Sequence, residues 1–141
     1  MKIIKSRLNK AFDLTVDLYK SLKESDYQLK IPKAPSNSFA GQVWCIIGAR
    51  ESYLKALKNG KWSGFSCSVE KGSKEEFLEK LSKTKSDMNK FLNSEKKFSS
   101  FEKETLLDLL EHEVQHHGQL IRFVYSNKLK FPKSWNERYT V

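Results

Sequence analysis

Four long segments of this chain repeat their apolar residues at steps of three and four, and helix breakers separate them. That period gathers the apolar residues on one face of a helix, so each segment must bury that face against another helix. In the first segment, Ile4, Leu8, Ala11, Phe12, Thr15, Leu18, Tyr19 and Leu22 share the stripe. It stops before "ESDYQLKIPKAPSNS", where Pro32 and Pro35 are incompatible with a helix interior. That linker has the length to cross from one end of a bundle to the other.

The second segment runs from Phe39 to Leu57. Ser36, Asn37 or Ser38 can cap its start, and Asn59-Gly60 ends it. The third opens on "SKEE", where Ser73 and Glu76 have the spacing of a capping box. Its stripe is Phe77, Leu81, Thr84, Met88, Phe91 and Leu92. The fourth opens on "SSFE", with Ser99 and Glu102 at the same spacing, and continues to Tyr125. Helices of this size span about 30 Å. One domain over residues 1–141, an all-α four-helix bundle, is the expected architecture. Between helices two and three, "GKWSGFSCSVEKGS" reads as a short irregular segment packed by Trp62 and Phe65. After helix four, the tail "NKLKFPKSWNERYTV" has the aromatic content to pack back on the bundle.

Composition excludes several classes of function. The net charge is +9, but it rests on 22 Lys and only 4 Arg, scattered among acids. Without an Arg-rich block or a strand carrying stacking aromatics, this is a solvated surface and not a nucleic-acid face. No apolar run is long enough to span a membrane. The charged N-terminal segment lacks the unbroken apolar core of a signal peptide. Cys45 and Cys67 have no CxxC spacing, and a reduced, cytosolic protein is the expectation.

All three histidines lie in "LLEHEVQHHGQL". His112 and His116 are one helical turn apart on one side, beside the apolar stripe, a spacing that suits two imidazoles on one metal ion. His117 falls nearer the middle of the apolar arc and pairs by spacing with Glu113. The simpler reading makes these polar helix residues, with His117 a hydrogen-bonded core histidine. The letters also spell H-E-x-x-H, the zinc site of many metalloproteases. A protease needs a third ligand, for which Glu137 is the nominal choice, and an edge strand to hold substrate. The segments before His112 show no such strand. A bundle instead draws ligands from facing helices. On helix two, Gly41, Cys45, Gly48, Ala49, Ser52 and Ala56 form a small-residue stripe, and Cys45 is its only soft ligand. A thiolate with two imidazoles favours zinc; a buried, inert cysteine is the alternative. Arg50, on the same helix, would either hold an anionic substrate group or form an inter-helix salt bridge.

These residues resemble a known pattern. "LLEHEVQHHGQLIRF" is similar to the last-helix motif of the DinB-like (YfiT-like) superfamily of helix-bundle metalloproteins, a His-Glu-x-x-His-x-Gly-Gln string that maps onto His112, Glu113, His116, Gly118 and Gln119. "QVWCIIGARESYL" resembles the family's second helix, and "FPKSWNERY" its Pro-x-Ser-Trp tail. The resemblance implies an up-up-down-down bundle, often a homodimer. It implies a divalent metal, zinc or nickel, held by three histidines, one from helix two and two from helix four. It also implies a small-molecule substrate, since relatives include hydrolase-like members and transferases that use thiols such as bacillithiol or mycothiol. Glu113 would be a candidate base if it faces the pocket, and otherwise a partner behind the ligands or a surface residue, with His117, Gln119 and Arg50 around the pocket. The sequence departs from the family at one point: Cys45 stands where helix two should supply a histidine. Either Cys45 completes a two-His, one-Cys site, or the site is degenerate and the protein is a metal-free binding or interaction module.

Overall fold

The chain is described by a computed structural model over residues 1–94 and 97–141, and there it is all-helical. The elements are α1 (Lys2–Ser21), a short 3₁₀ helix (Glu24–Gln28), α2 (Phe39–Asn59), α3 (Lys74–Leu92), α4 (Ser100–Ser126) and a short α5 (Lys133–Tyr139). Helix starts follow the caps. Ser38 accepts from the Gly41 N–H, Ser73 from the Glu76 N–H and Ser99 from the Glu102 N–H. Each satisfies one of the donors a helix N-terminus leaves unpaired. At Ser99 the capping box closes, with Glu102 returning to the Ser99 N–H. Glu76 instead reaches further back, to the N–H groups of Glu70, Lys71 and Gly72, and so folds the chain ahead of α3. Gly60, at φ +70°, takes the left-handed conformation that ends α2.

Helices α1 and α2 each pack on both α3 and α4. Their directions follow from cross-helix contacts. Asn9 and Asn89 exchange amide hydrogen bonds of 2.9 and 2.8 Å, and Asp13 pairs with Lys85, so α1 and α3 are antiparallel. Thr15 meets Glu113 and His117, and Leu18 and Tyr19 share a cluster with Leu120 and Phe123, so α1 and α4 are parallel. Val43 and Ile47 cluster with Phe77 and Leu81, while Leu57 clusters with Met88 and Leu92, so α2 and α3 are parallel.

The order is therefore up-down-down-up, and the expected up-up-down-down arrangement is corrected. Which linker crosses the molecule decides the outcome. The first linker folds on itself at one end: its 3₁₀ helix tucks Tyr27 under Tyr19, whose main-chain carbonyl accepts from the Tyr27 hydroxyl at 2.9 Å, and Lys30 bridges to Ser38. The second linker, residues 60–73, makes the crossing. An extended segment of that length reaches about 45 Å, more than the roughly 30 Å of α2. Ser66 hydrogen-bonds Ser52 through both its N–H (2.9 Å) and its carbonyl (3.2 Å). The Ser68 N–H donates to Glu51 at 2.8 Å. Phe65 lies directly on Gly48, where any Cβ would sit 2.2 Å from the ring. The small-residue stripe on α2 thus seats a loop.

Two apolar clusters fill the ends. One, around Tyr19, Phe39, Phe77 and Phe123, includes Trp135 of the tail; the other surrounds Phe12, Leu57, Met88 and Leu106. Trp135 is wholly buried, and its indole N–H donates to the Leu14 carbonyl at 2.7 Å. The tail therefore packs back on the bundle as expected, as a short helix. Among the described residues, no helix is long and apolar enough to cross a membrane.

Candidate metal centre

Helix α4 presents its H-E-x-x-H residues in two directions. At about 100° per residue, His112 and His116 share one direction and Glu113 and His117 the next. The first pair turns toward α2 at Cys45. The Cys45 Sγ lies 3.8 Å from His112 Nε2, the two imidazole centroids are 4.7 Å apart, and one ligand atom from each of the three residues lies within 4.8 Å of the others. Two ligands at zinc-bond lengths of about 2.3 and 2.0 Å, at a tetrahedral angle, stand about 3.5 Å apart. The Cys45–His112 separation is close to that value, and the group is close enough to hold a metal ion.

The protonation states suit that use. His116 is buried, and its Nδ1 meets the Gln42 Oε1 at 2.5 Å. An amide oxygen only accepts, so Nδ1 carries the proton and the lone pair sits on Nε2. Gln42 is held in turn, since its Nε2 donates to Asn37 Oδ1 at 2.9 Å. Burial holds the His116 pKa down to about 4, with the neighbouring His112 adding to the effect. Burial also lowers His112, against an opposing pull from Glu113. Both imidazoles are neutral near pH 7 and can donate a lone pair. Burial pushes the Cys45 thiol up, so its proton must leave when the sulfur binds a cation. Among the described residues, His112 Nδ1 is buried without a hydrogen-bond partner, a polar atom of the centre left unsatisfied.

The second pair faces the interior and is fully engaged. Glu113 and Arg50 are both shielded from solvent, and the guanidinium grips the carboxylate through two nitrogens, Nε at 3.1 Å and Nη2 at 2.5 Å. Arg50 also donates to the Leu81 carbonyl at 3.3 Å and lies 3.9 Å over the Phe12 ring. Thr15 donates its single hydroxyl proton to Glu113. Its oxygen must then accept from His117 Nε2, 2.8 Å away, which leaves His117 Nδ1 to accept from the Tyr139 hydroxyl at 2.7 Å. That neutral state agrees with a pKa held down to about 4, with burial the main cause and Glu113 opposing it. Burial alone would raise the Glu113 carboxyl; Arg50 outweighs it, helped by His117 and Thr15, and the group stays ionised. Residues from each of α1 to α5 meet in this network.

These placements sort the sequence candidates. Cys45, His112 and His116 come together. Glu113, the candidate base, is corrected to a buried partner of Arg50, since a carboxylate with no exposure and three donors cannot take a substrate proton. Arg50 forms the inter-helix salt bridge and is not an anion site. His117 is the hydrogen-bonded core histidine. Gln119 is exposed, and Glu137 is exposed on α5, 3.6 Å from Lys133, with no place in the cluster. Sequence reasoning missed Gln42, Thr15 and Tyr139. For Gln42 the available signal was the helical wheel, which puts it on the same side of α2 as Ala49 and Tyr53. Compared with models of known protein families and with curated proteins, the chain matches none.

Proposed function

We propose that this protein is a DinB-like helix-bundle metalloprotein. In this reading Cys45, His112 and His116 hold a zinc or nickel ion, and the centre serves a hydrolase or a low-molecular-weight-thiol transferase acting on a small molecule. The observation that carries the reading is the convergence of the three ligand atoms within 4.8 Å. Two further features support it: the ligands come from α2 and α4, the helices that supply them in the family resembled, and Gln42 fixes the His116 tautomer that leaves Nε2 free. A divalent ion bound there supplies a Lewis acid that acidifies a water or thiol it holds. The chain's own contribution is to hold two neutral imidazoles in place and to leave Cys45 and His112 partly open to solvent. Glu113 keeps its charge inside the bundle, held by Arg50 and Thr15, and does not move a proton at the centre. The resemblance also brings a homodimer into the proposal, and the two unpaired cysteines a cytosolic location.

The test is metal analysis of protein made without a histidine tag, before and after addition of zinc or nickel. About one equivalent is expected, falling in His116→Ala and Cys45→Ala. Less than about a tenth of an equivalent would sink the reading. The second reading, a metal-free binding or interaction module, draws on the raised Cys45 thiol and on cysteine standing where the family has histidine. It gains if Cys45→His alone confers metal uptake.

A further inference from the structure

Cys45 has a second sulfur on its other side. At about 100° per residue, Gln42, which meets His116, lies about 60° to one side of Cys45 on α2, and Gly48 lies about 60° to the other. Gly48 seats the crossing segment, and Cys67 comes with it. Any Cβ at position 48, one turn beyond Cys45, would sit 3.0 Å from the Cys67 Cβ. The Cys67 thiol donates to the Trp44 carbonyl at 3.3 Å. That carbonyl belongs to the peptide bond into Cys45, and its oxygen stands about 2.8 Å from the Cys45 Cα. The Cys67 sulfur is therefore within about 6 Å of that Cα.

Both residues beside Cys67 are tied to α2, Ser66 to Ser52 at 2.9 and 3.2 Å and Ser68 to Glu51 at 2.8 Å, so the sulfur is held in place. Burial is the largest cause of a raised Cys67 thiol, and the Cys45 sulfur is among the smaller ones, as fits two groups within reach of each other's charge. Cys45 thus stands between two sets of partners. Its own sulfur is 3.8 Å from His112 Nε2. One change of staggered rotamer about the Cα–Cβ bond carries a sulfur about 3 Å, which is the scale of the step from the histidines toward Cys67. These are the only two cysteines of the chain, and both are half-buried free thiols.

We propose that Cys45 and Cys67 are a thiol–disulfide switch: oxidation joins them and withdraws Cys45 from His112 and His116, and reduction returns it. The cross-link stands on the placement of the two sulfurs; its effect on a metal rests on the metal-centre reading. The oxidant is a low-molecular-weight disulfide. The Cys67 thiolate attacks one of its sulfurs, and the other leaves as a thiol that takes up the Cys67 proton. The Cys45 thiolate then attacks the Cys67 sulfur of the mixed disulfide and expels the second small thiol, which takes up the Cys45 proton. Two protein thiols are oxidised to one disulfide, and one small disulfide is reduced to two thiols.

The experiment treats the full chain, reduced and metal-free, with oxidised glutathione and follows the intact mass. The expected product has lost both free thiols and two hydrogens, with the peptides that carry residues 45 and 67 joined within one chain. Cobalt(II) affinity, read from the visible spectrum, should fall at least about 100-fold on oxidation and return with dithiothreitol. Reduced Cys67→Ser should bind cobalt within about twofold of the unaltered chain, and with oxidised glutathione it should stop at a mixed disulfide on Cys45. Glutathione retained on both cysteines, or chains cross-linked to one another, would overturn the switch while leaving the metal centre standing. Cobalt affinity that the internal cross-link does not change would overturn it too. So would cobalt binding lost in reduced Cys67→Ser, which would make Cys67 a fourth ligand. A reduced chain that binds no cobalt overturns the metal centre itself; the cross-link then has no ligand to withdraw, and the switch falls with it.

Discussion

His112–His116 and Glu113–His117 are two pairs at the same spacing on the same two turns of α4, offset by one residue. Among the described residues the first pair keeps unused capacity: a lone pair on His116 Nε2, an unpartnered Nδ1 on His112 and a cysteine within reach. The second pair has none left, because Glu113 is gripped by Arg50 and Thr15, and His117 is held between Thr15 and Tyr139. A one-residue offset thus separates side chains available to a ligand from side chains used up by the fold. In the protease pattern the glutamate would serve the metal; here the same letter holds the bundle together.

If that division is right, the inner pair governs folding and the outer pair governs binding. The largest effect is expected from Glu113→Ala, which strands the Arg50 charge in the interior and should cost about 3–5 kcal/mol in urea unfolding, against less than about 1 kcal/mol for His112→Ala in metal-free protein. Equal costs would erase the distinction. Next comes acid. A histidine whose folded pKa is held near 4 stays neutral in the fold but takes up a proton when unfolded, near 6.5. Stability from His116 and His117 is therefore complete above pH 6.5 and declines as pH falls toward 4, by roughly 3 kcal/mol for each at the full shift. Glu113, held below its ordinary range, continues the loss as it protonates at lower pH. Unfolding curves of metal-free protein at pH 7.5, 6 and 5 would show this, and a flat profile would mean that the imidazoles are open to water.

Gln42→Leu sharpens the comparison from the other side. It removes the acceptor that orients His116 and should weaken metal binding by about 10- to 100-fold, with Gln42→Glu restoring it. A competition assay against a coloured chelator reads the change. The smallest effect belongs to Tyr139→Phe. It deprives His117 Nδ1 of its donor and should cost about 1 kcal/mol in thermal unfolding, without changing metal affinity.

Much of this was legible in the sequence because it depends on local geometry. Capping serines placed the starts of α2, α3 and α4, and the four-residue spacing put His112 and His116 on one side. The wheel placed Cys45 on a stripe that could face them. What could not be read depends on partners distant in sequence. The two linkers flanking α2 are of similar length, and either could cross the bundle; contacts at Tyr27 and Phe65 decide which one does. Glu113 looked like a catalytic residue because only the fold brings Arg50 and Thr15 to it. For a glutamine within a helix, as at position 42, the wheel gives the side it lies on but not the histidine it will orient.

The Arg50–Glu113 pair also sets an order of events. A ribosome delivers Arg50 63 residues ahead of Glu113, and Thr15 98 residues ahead. Until α4 emerges, closing α1, α2 and α3 around Arg50 would bury a cation with no counter-charge, which the interior opposes strongly. A nascent chain stopped at residue 94 is therefore expected to remain open and protease-sensitive, and the protein to close around its charge in a single late step.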